Sequence, residues 1–211
     1  MGRAPRRRGL AIQALLLILP LWAGLRVPQA MAQGMATPVE VQVPLMLKIL
    51  NFDRSLRVDV QRTLVVGVLY QAGYRTSAQI AEQVRHTLLE QREQGVGTWA
   101  LRVVPINLDE TGDLDTVLVQ QRVTVLYVSP LRAVSLRKIS GAARAKQITT
   151  LTGVPDYVED GLAIGIDLQD ERPQIIMNLA ASRAEGADFT AQLLQLARLV
   201  DQPAKPGSDV H

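Results

Sequence analysis

The chain has 211 residues, with 23 Lys and Arg against 20 Asp and Glu, two histidines and no cysteine. The missing cysteines exclude thiol nucleophiles, thiolate metal sites and disulfides, and His86 and His211 alone leave little for imidazole or metal chemistry. Residues 1–32 carry five arginines and no acid, so the remaining 179 residues hold 18 basic against 20 acidic groups, and the isoelectric point near 9.5 is no sign of a nucleic-acid partner.

The N-terminus has the order of a secretory leader. Arg3, Arg6, Arg7 and Arg8 precede the apolar run Leu10–Leu21, which falls short of the ~20 residues a membrane span needs and is interrupted by Pro20. Ala30-Met31-Ala32 supplies the small residues that a signal peptidase accepts. Cleavage after Ala32 is therefore expected, leaving a periplasmic chain with no stable membrane insertion. A linker is expected at 33–38, one domain at 39–200, and a disordered tail at 201–211 marked by Pro203, Pro206 and Gly207.

Within the domain, Val43, Leu47 and Leu50 recur at helical spacing and predict a first helix over Val39–Leu56. The β-branched run TLVVGVLY, Thr63–Tyr70, predicts a strand covered on both faces. Ser77 is placed to cap a helix over Ala78–Glu93, with Ile80, Val84, Leu88 and Leu89 buried. Trp99–Ile106 reads as the next strand, with Pro105 near its end, where a missing N–H is tolerable. Asp113 is expected to cap a short helix through Gln120, followed by a strand at Val123–Val128, a helix at Leu131–Lys146 and a short strand at Ile148–Leu151. The alternation LAIGIDL, Leu162–Leu168, a turn at Gln169–Pro173 and QIIMNL, Gln174–Leu179, predict an antiparallel hairpin. A closing helix over Phe189–Val200, capped by Asp188 and buried through Phe189, Leu193 and Leu196, completes the pattern. Strand, helix and strand in repeated order predict an α/β fold: three layers, a mostly parallel sheet with crossover helices, a C-terminal antiparallel hairpin and a closing helix.

No motif announces a reaction. Gly161 and Gly165 fit neither phosphate-loop pattern, and Gly165 is better explained by close approach of a covering helix. Asp156, Glu159 and Asp160 lack calcium-loop spacing and read as a solvated turn; His86 lies off its helix's apolar stripe and reads as a surface histidine. There is no GxSxG elbow to present a serine. Catalytic and metal-binding residues, and a cofactor, are accordingly not expected. In open α/β sheets ligands bind outside the carboxyl ends of the parallel strands. That edge would carry Tyr70, Gln71, Asn107, Ser129 and Thr152-Gly153, with Tyr74 and Tyr157 on adjoining loops. Asn178 and Ser182 would join it if the hairpin returned to the same side. These hydroxyls, amides and aromatic rings suit recognition of a ligand or partner more than catalysis, and each also serves as an ordinary cap or turn former.

VPLMLKILNFDRSL (Val43–Leu56), LVVGVLY (Leu64–Tyr70), VTVLYVSP and the closing block GLAIGIDLQDERPQIIMNLAASRAEGADFTAQLLQLARLV resemble, in order and spacing, the YfiR-type family of exported bacterial domains. The resemblance spans Glu40–Val200. It implies a periplasmic regulator that is not an enzyme and that holds an inner-membrane signalling protein, in the better-known case a diguanylate cyclase, inactive by engaging its periplasmic region. No cysteine stands where family members can carry disulfides. Two functions remain open: a protein-binding regulator of cyclic di-GMP signalling, and a periplasmic small-ligand module of receptor type. Pairing of two copies is compatible with either.

Overall fold

The computed structural model describes Met35 and residues 37–56, 63–93 and 99–200. The expected leader, half of the linker and the tail lie outside them. Among the described residues no helix is long and apolar enough to cross a membrane.

Helix α1 (Val39–Leu50) leads to β1 (Thr63–Tyr70), whose six central residues are buried, as its unbroken apolar run requires. There follow α2 (Arg75–Glu93), β2 (Ala100–Asn107), α3 (Leu114–Gln120), β3 (Val125–Val128), α4 (Leu136–Lys146), β4 (Thr149–Thr152), α5 (Pro155–Glu159) and β5 (Ile164–Gln169). The chain closes with β6 (Arg172–Met177), α6 (Leu179–Ala184), α7 (Ala191–Leu196) and β7 (Arg198–Leu199). One sheet runs β2-β1-β3-β4-β5-β6-β7. Its first five strands are parallel, β6 is antiparallel to β5, and β7 is parallel to β6.

Two apolar clusters define the layers. Val43 and Leu47 of α1 and Val84 and Leu88 of α2 pack with Val66, Tyr127, Leu151 and Ile164 on one face. Leu118 of α3, Ile139 and Ala143 of α4 and Tyr157 of α5 pack with Leu69, Leu126 and Val128 on the other. On this second face a Cβ at Gly165 would come within 2.6 Å of Val158 Cγ2, so glycine is what lets α5 lie against β5. The outermost strand β2 carries Pro105, where no further strand requires its N–H.

Several elements depart from the sequence expectation for identifiable reasons. The first helix stops at Leu50 rather than Leu56. Helix α2 starts at Arg75, so Ser77 lies inside it, and its hydroxyl accepts the Gln71 N–H at 3.0 Å instead of capping. Helix α4 starts at Leu136, because Ala133 adopts φ 52 and no helix continues through a left-handed residue. The acids Asp156 and Glu159 lie within α5 rather than in an open loop. In the hairpin, Asp170 and Glu171 form a two-residue turn with φ 48 and 60, the conformation that matches strand twist, so Pro173 belongs to β6. Asn178 leaves the strand and caps α6, its Oδ1 accepting the Ala181 N–H at 2.9 Å.

The closing helix is the largest correction. Asp188 does not cap it: its carboxylate pairs with Arg54 at 2.7 Å and its N–H donates to Asp53 at 2.9 Å. Phe189 bridges to Asp53, and the Val200 N–H donates to the Met177 carbonyl at 2.8 Å, drawing the last residues into the sheet. Only Ala191–Leu196 remains helical, with Leu193 buried and Leu196 65% exposed. Leu193→Ala should therefore cost ~2–5 kcal/mol in chemical denaturation. Leu196→Ala should stay within ~0.5 kcal/mol. The opposite ranking would contradict this packing.

Candidate functional site

The crossover through α2 carries the chain from β1 outward to β2, and the crossover through α3 brings it back past β1 to β3. Strand order thus reverses between β1 and β3, the place where doubly wound sheets open a crevice at their carboxyl ends. Six predicted residues meet there: Tyr70, Gln71, Tyr74, Asn107, Ser129 and Tyr157.

The side chains of Gln71, Asn107 and Tyr157 are bonded to the protein itself. Gln71 Oε1 accepts the Arg132 N–H at 2.7 Å, and the Arg132 guanidinium lies 4.4 Å from the centre of the Tyr74 ring. Asn107 Oδ1 accepts the N–H groups of Ala72 at 3.1 Å and Asp109 at 3.2 Å, while the Asp109 carboxylate accepts the Gly73 N–H at 2.7 Å. The Tyr157 hydroxyl accepts the Leu131 N–H at 2.7 Å and donates to the Leu131 carbonyl at 3.2 Å. Burial raises the pKa of this phenol, opposed by its bond to Leu131, so it stays a donor. Tyr70 is half-buried, and its carbonyl accepts the Leu108 N–H at 2.8 Å. Ser129 is fully buried; its N–H donates to Leu69, and its hydroxyl has no partner among the described residues. Thr152 Oγ1 bonds the Val128 carbonyl and the Val154 N–H.

On the other side of the strand ends lies Gln42, fully buried although polar. Its Nε2 donates to the Thr37 carbonyl and its Oε1 accepts from the Tyr127 hydroxyl at 3.3 Å. Tyr127 is itself buried, which pushes its pKa above the ordinary phenol value. A Cβ at Gly153 would stand 2.3 Å from Gln42 Oε1 and 2.8 Å from Met35 Cε. Gln42 and Met35 therefore cover the ends of β3 and β4, and the loop 130–133 is bonded to Gln71 at the end of β1. Gln42 was legible as a polar residue on the buried stripe Val39, Val43, Met46, and a buried amide on such a stripe needs a defined partner.

Asn178 and Ser182 do not join this edge. Because β6 runs antiparallel, Asn178 emerges beside Ala163, at the amino end of β5. Its Nδ2 donates to the Val158 carbonyl, and Ser182 Oγ donates to the Asn178 carbonyl, so both hold α6 in place. His86 is a surface residue 3.4 Å from Glu90. No group of three His, Asp or Glu among the described residues is arranged to hold a metal ion.

A surface the sequence did not announce lies at the hairpin. Period two puts Ile164, Ile166 and Leu168 of β5, and Met177, Ile175 and Pro173 of β6, on the α1 face. The first two of each row are buried, whereas Leu168 and Pro173 are exposed. They continue the apolar face past its cover into an open groove of about 760 Å³ lined by Leu45, Gln169, Asp170, Arg172, Pro173, Gln174, Ile175 and Leu196. Leu199 adds a further exposed apolar side chain on β7.

The family model described as YfiR/HmsC-like matches residues 61–198. None of the curated proteins matches the chain in sequence. Among solved structures, a conserved domain protein from Vibrio cholerae is similar with a TM-score of 0.57 at 14% identity, covering 77% of this chain and 60% of that one. An ABC domain from Streptococcus pneumonia, solved in complex with L-Trp, is similar with a TM-score of 0.55 at 12% identity, covering 78% of this chain and 60% of that one. The chain thus spans about three-fifths of each, and at these identities the likeness is one of fold.

At the amino side of the sheet Glu185 is buried, its carboxyl group meeting the Thr150 N–H at 2.7 Å and the Thr150 hydroxyl at 2.9 Å. Burial pushes its pKa up to about 8, opposed by the Thr150 bonds and by Arg144. The folded state therefore keeps a proton that the unfolded chain releases near the ordinary value of 4.5. The stability this contributes is complete below that value and is lost as pH rises towards about 8. Denaturation across this range should show stability falling by up to ~1.4 kcal/mol per pH unit. Glu185→Gln, which mimics the protonated acid, should flatten the profile; identical profiles for the two proteins would contradict the assignment.

Proposed function

From the premise that this chain belongs to the YfiR/HmsC-like family, we propose that it is an exported, non-enzymatic regulator that binds the periplasmic region of an inner-membrane diguanylate cyclase and lowers its output. Membership supports a periplasmic regulatory role in general. The observation that carries it is the contrast between two surfaces. At the carboxyl edge Met35 and Gln42 cover the ends of β3 and β4, and the Gln71 and Asn107 side chains are bonded to the protein's own backbone. The hairpin instead leaves open a groove in which Leu45, Pro173, Ile175 and Leu196 alternate with polar and charged side chains. Uncovered apolar surface rimmed by polar groups is what protein recognition uses. A receptor would need the opposite arrangement.

The groove favours a partner that docks by side chains rather than by an added strand. The Asn178 N–H reaches β5 and the Met177 carbonyl accepts from β7, so alternate β6 residues point outward and Pro173 is one of them. With no N–H there, the edge offers a broken ladder. An amphipathic helix placing an apolar side chain between Leu45 and Leu196 fits better.

Export is checked by the intact mass of material recovered from the envelope, which should begin at Gln33. The binding claim is checked by affinity capture from solubilised membranes. The wild-type chain should retain a cyclase, Leu196→Asp should weaken capture by roughly thirtyfold or more, as loss of a central contact does, and deletion of the gene should raise cyclic di-GMP. Recovery of a transporter permease alone, with cyclic di-GMP unchanged, would reject the regulator in favour of a receptor.

A further inference from the structure

Met35 occupies a singular position. Its side chain packs against both apolar clusters, which otherwise lie on opposite faces of the sheet, so it crosses the carboxyl end of the strands. Its Sδ stands 4.0 Å from the Tyr127 hydroxyl, and its Cε occupies the space a side chain at Gly153 would need. The segment that follows is tied down in sequence: Thr37 Oγ1 donates to the Asp167 carbonyl at 3.0 Å, and Gln42 donates to the Thr37 carbonyl. Met35 and residues 37–42 thus lie as a strap over the ends of β3, β4 and β5, with a thioether as its latch.

That thioether is also the reachable sulfur of the described chain. Met35 is half-buried, whereas Met46 and Met177 are buried, and the sequence contains no cysteine to compete for oxidants. We propose that Met35 is an oxidation site at which conversion to the sulfoxide releases the strap from the carboxyl edge. With hydrogen peroxide, the sulfur attacks one peroxide oxygen: an S–O bond forms, the O–O bond breaks, sulfur gives up two electrons, and water leaves. A thiol-dependent sulfoxide reductase reverses the step. The product is larger and strongly polar, set between two apolar clusters, and the Tyr127 hydroxyl within reach is already held by Gln42. Leaving the edge is the way for the sulfoxide to recover water. Release uncovers Gly153 and the Gln42–Tyr127 pair, and it does not depend on the identity of any partner.

The test treats the exported chain with graded hydrogen peroxide, maps methionine oxidation by peptide mass spectrometry, and follows amide exchange over residues 37–42 and 149–154. Met35 should gain one oxygen before Met46 and Met177. Exchange in both segments should then accelerate by about tenfold or more, as local opening does, and a methionine sulfoxide reductase should restore it. Met35→Leu, which keeps the volume, should hold the strap and abolish the response. Oxidation of Met35 no faster than Met46 and Met177, or oxidation without faster exchange, would overturn the proposal. So would an undiminished response in Met35→Leu; should that variant not fold, the order of oxidation and exchange in the wild-type chain decides.

Discussion

The Gln42 amide, the Tyr127 phenol and the missing side chain of Gly153 form one interaction on which the carboxyl end of the sheet depends. An amide and a phenol with almost no exposure lie between α1 and the strand ends, and each answers the other at 3.3 Å. Leaving either unpaired would cost ~1–3 kcal/mol, so α1 is fixed in rotation as well as position. The amide fits because Gly153 leaves β4 without a Cβ. From this contact follow the positions of Met35, Thr37 and Pro38 over the strand ends and the cover they give the ends of β3 and β4.

Closure at one end displaces function to another. Around β1 and β3 three of the polar side chains that could orient a substrate are bound to the protein's own backbone, Gln71 to Arg132, Asn107 to Ala72 and Tyr157 to Leu131, whereas the Ser129 hydroxyl has no partner among the described residues. Water and ligand gain little by competing with bonds already made. The hairpin differs because its two apolar rows outrun the helices that cover them, leaving Leu168, Pro173 and Leu196 exposed. In the proposed reading a YfiR/HmsC-like domain arranged in this way acts through its surface, and the Pro residues on β2 and β6 each remove an N–H from the strand that carries them.

What the sequence made legible were the features set by local periodicity. TLVVGVLY became β1 with its expected bounds, Asp113 caps α3, and the antiparallel hairpin lies where alternation placed it. What it hid were features decided by distant contacts. Phe189–Val200 has a helical apolar face, yet Asp53 and Met177 claim its two ends. Leu131, Val134 and Leu136 mimic a helical row, but Tyr157 holds Leu131 in a loop. Glu185, not among the candidate residues, is buried because α6, itself capped by Asn178, delivers it to Thr150. Of the candidate residues, Tyr70, Gln71, Asn107 and Ser129 lie at the carboxyl edge while Asn178 and Ser182 lie at the opposite one; Gln42, whose partners come from β3 and the loop after β4, was not among them.

The central claim, that the chain closes its own crevice, is tested most directly by a double-mutant cycle of Gly153→Ala and Gln42→Ala followed by chemical denaturation. Gly153→Ala alone forces a methyl group against the Gln42 amide and should cost ~1–3 kcal/mol. In the double variant the amide is gone and the methyl has room, so the combined cost should fall below the sum of the single costs by about 1 kcal/mol or more. Strict additivity would mean that Gln42 does not occupy the end of β4, and would contradict the closed crevice.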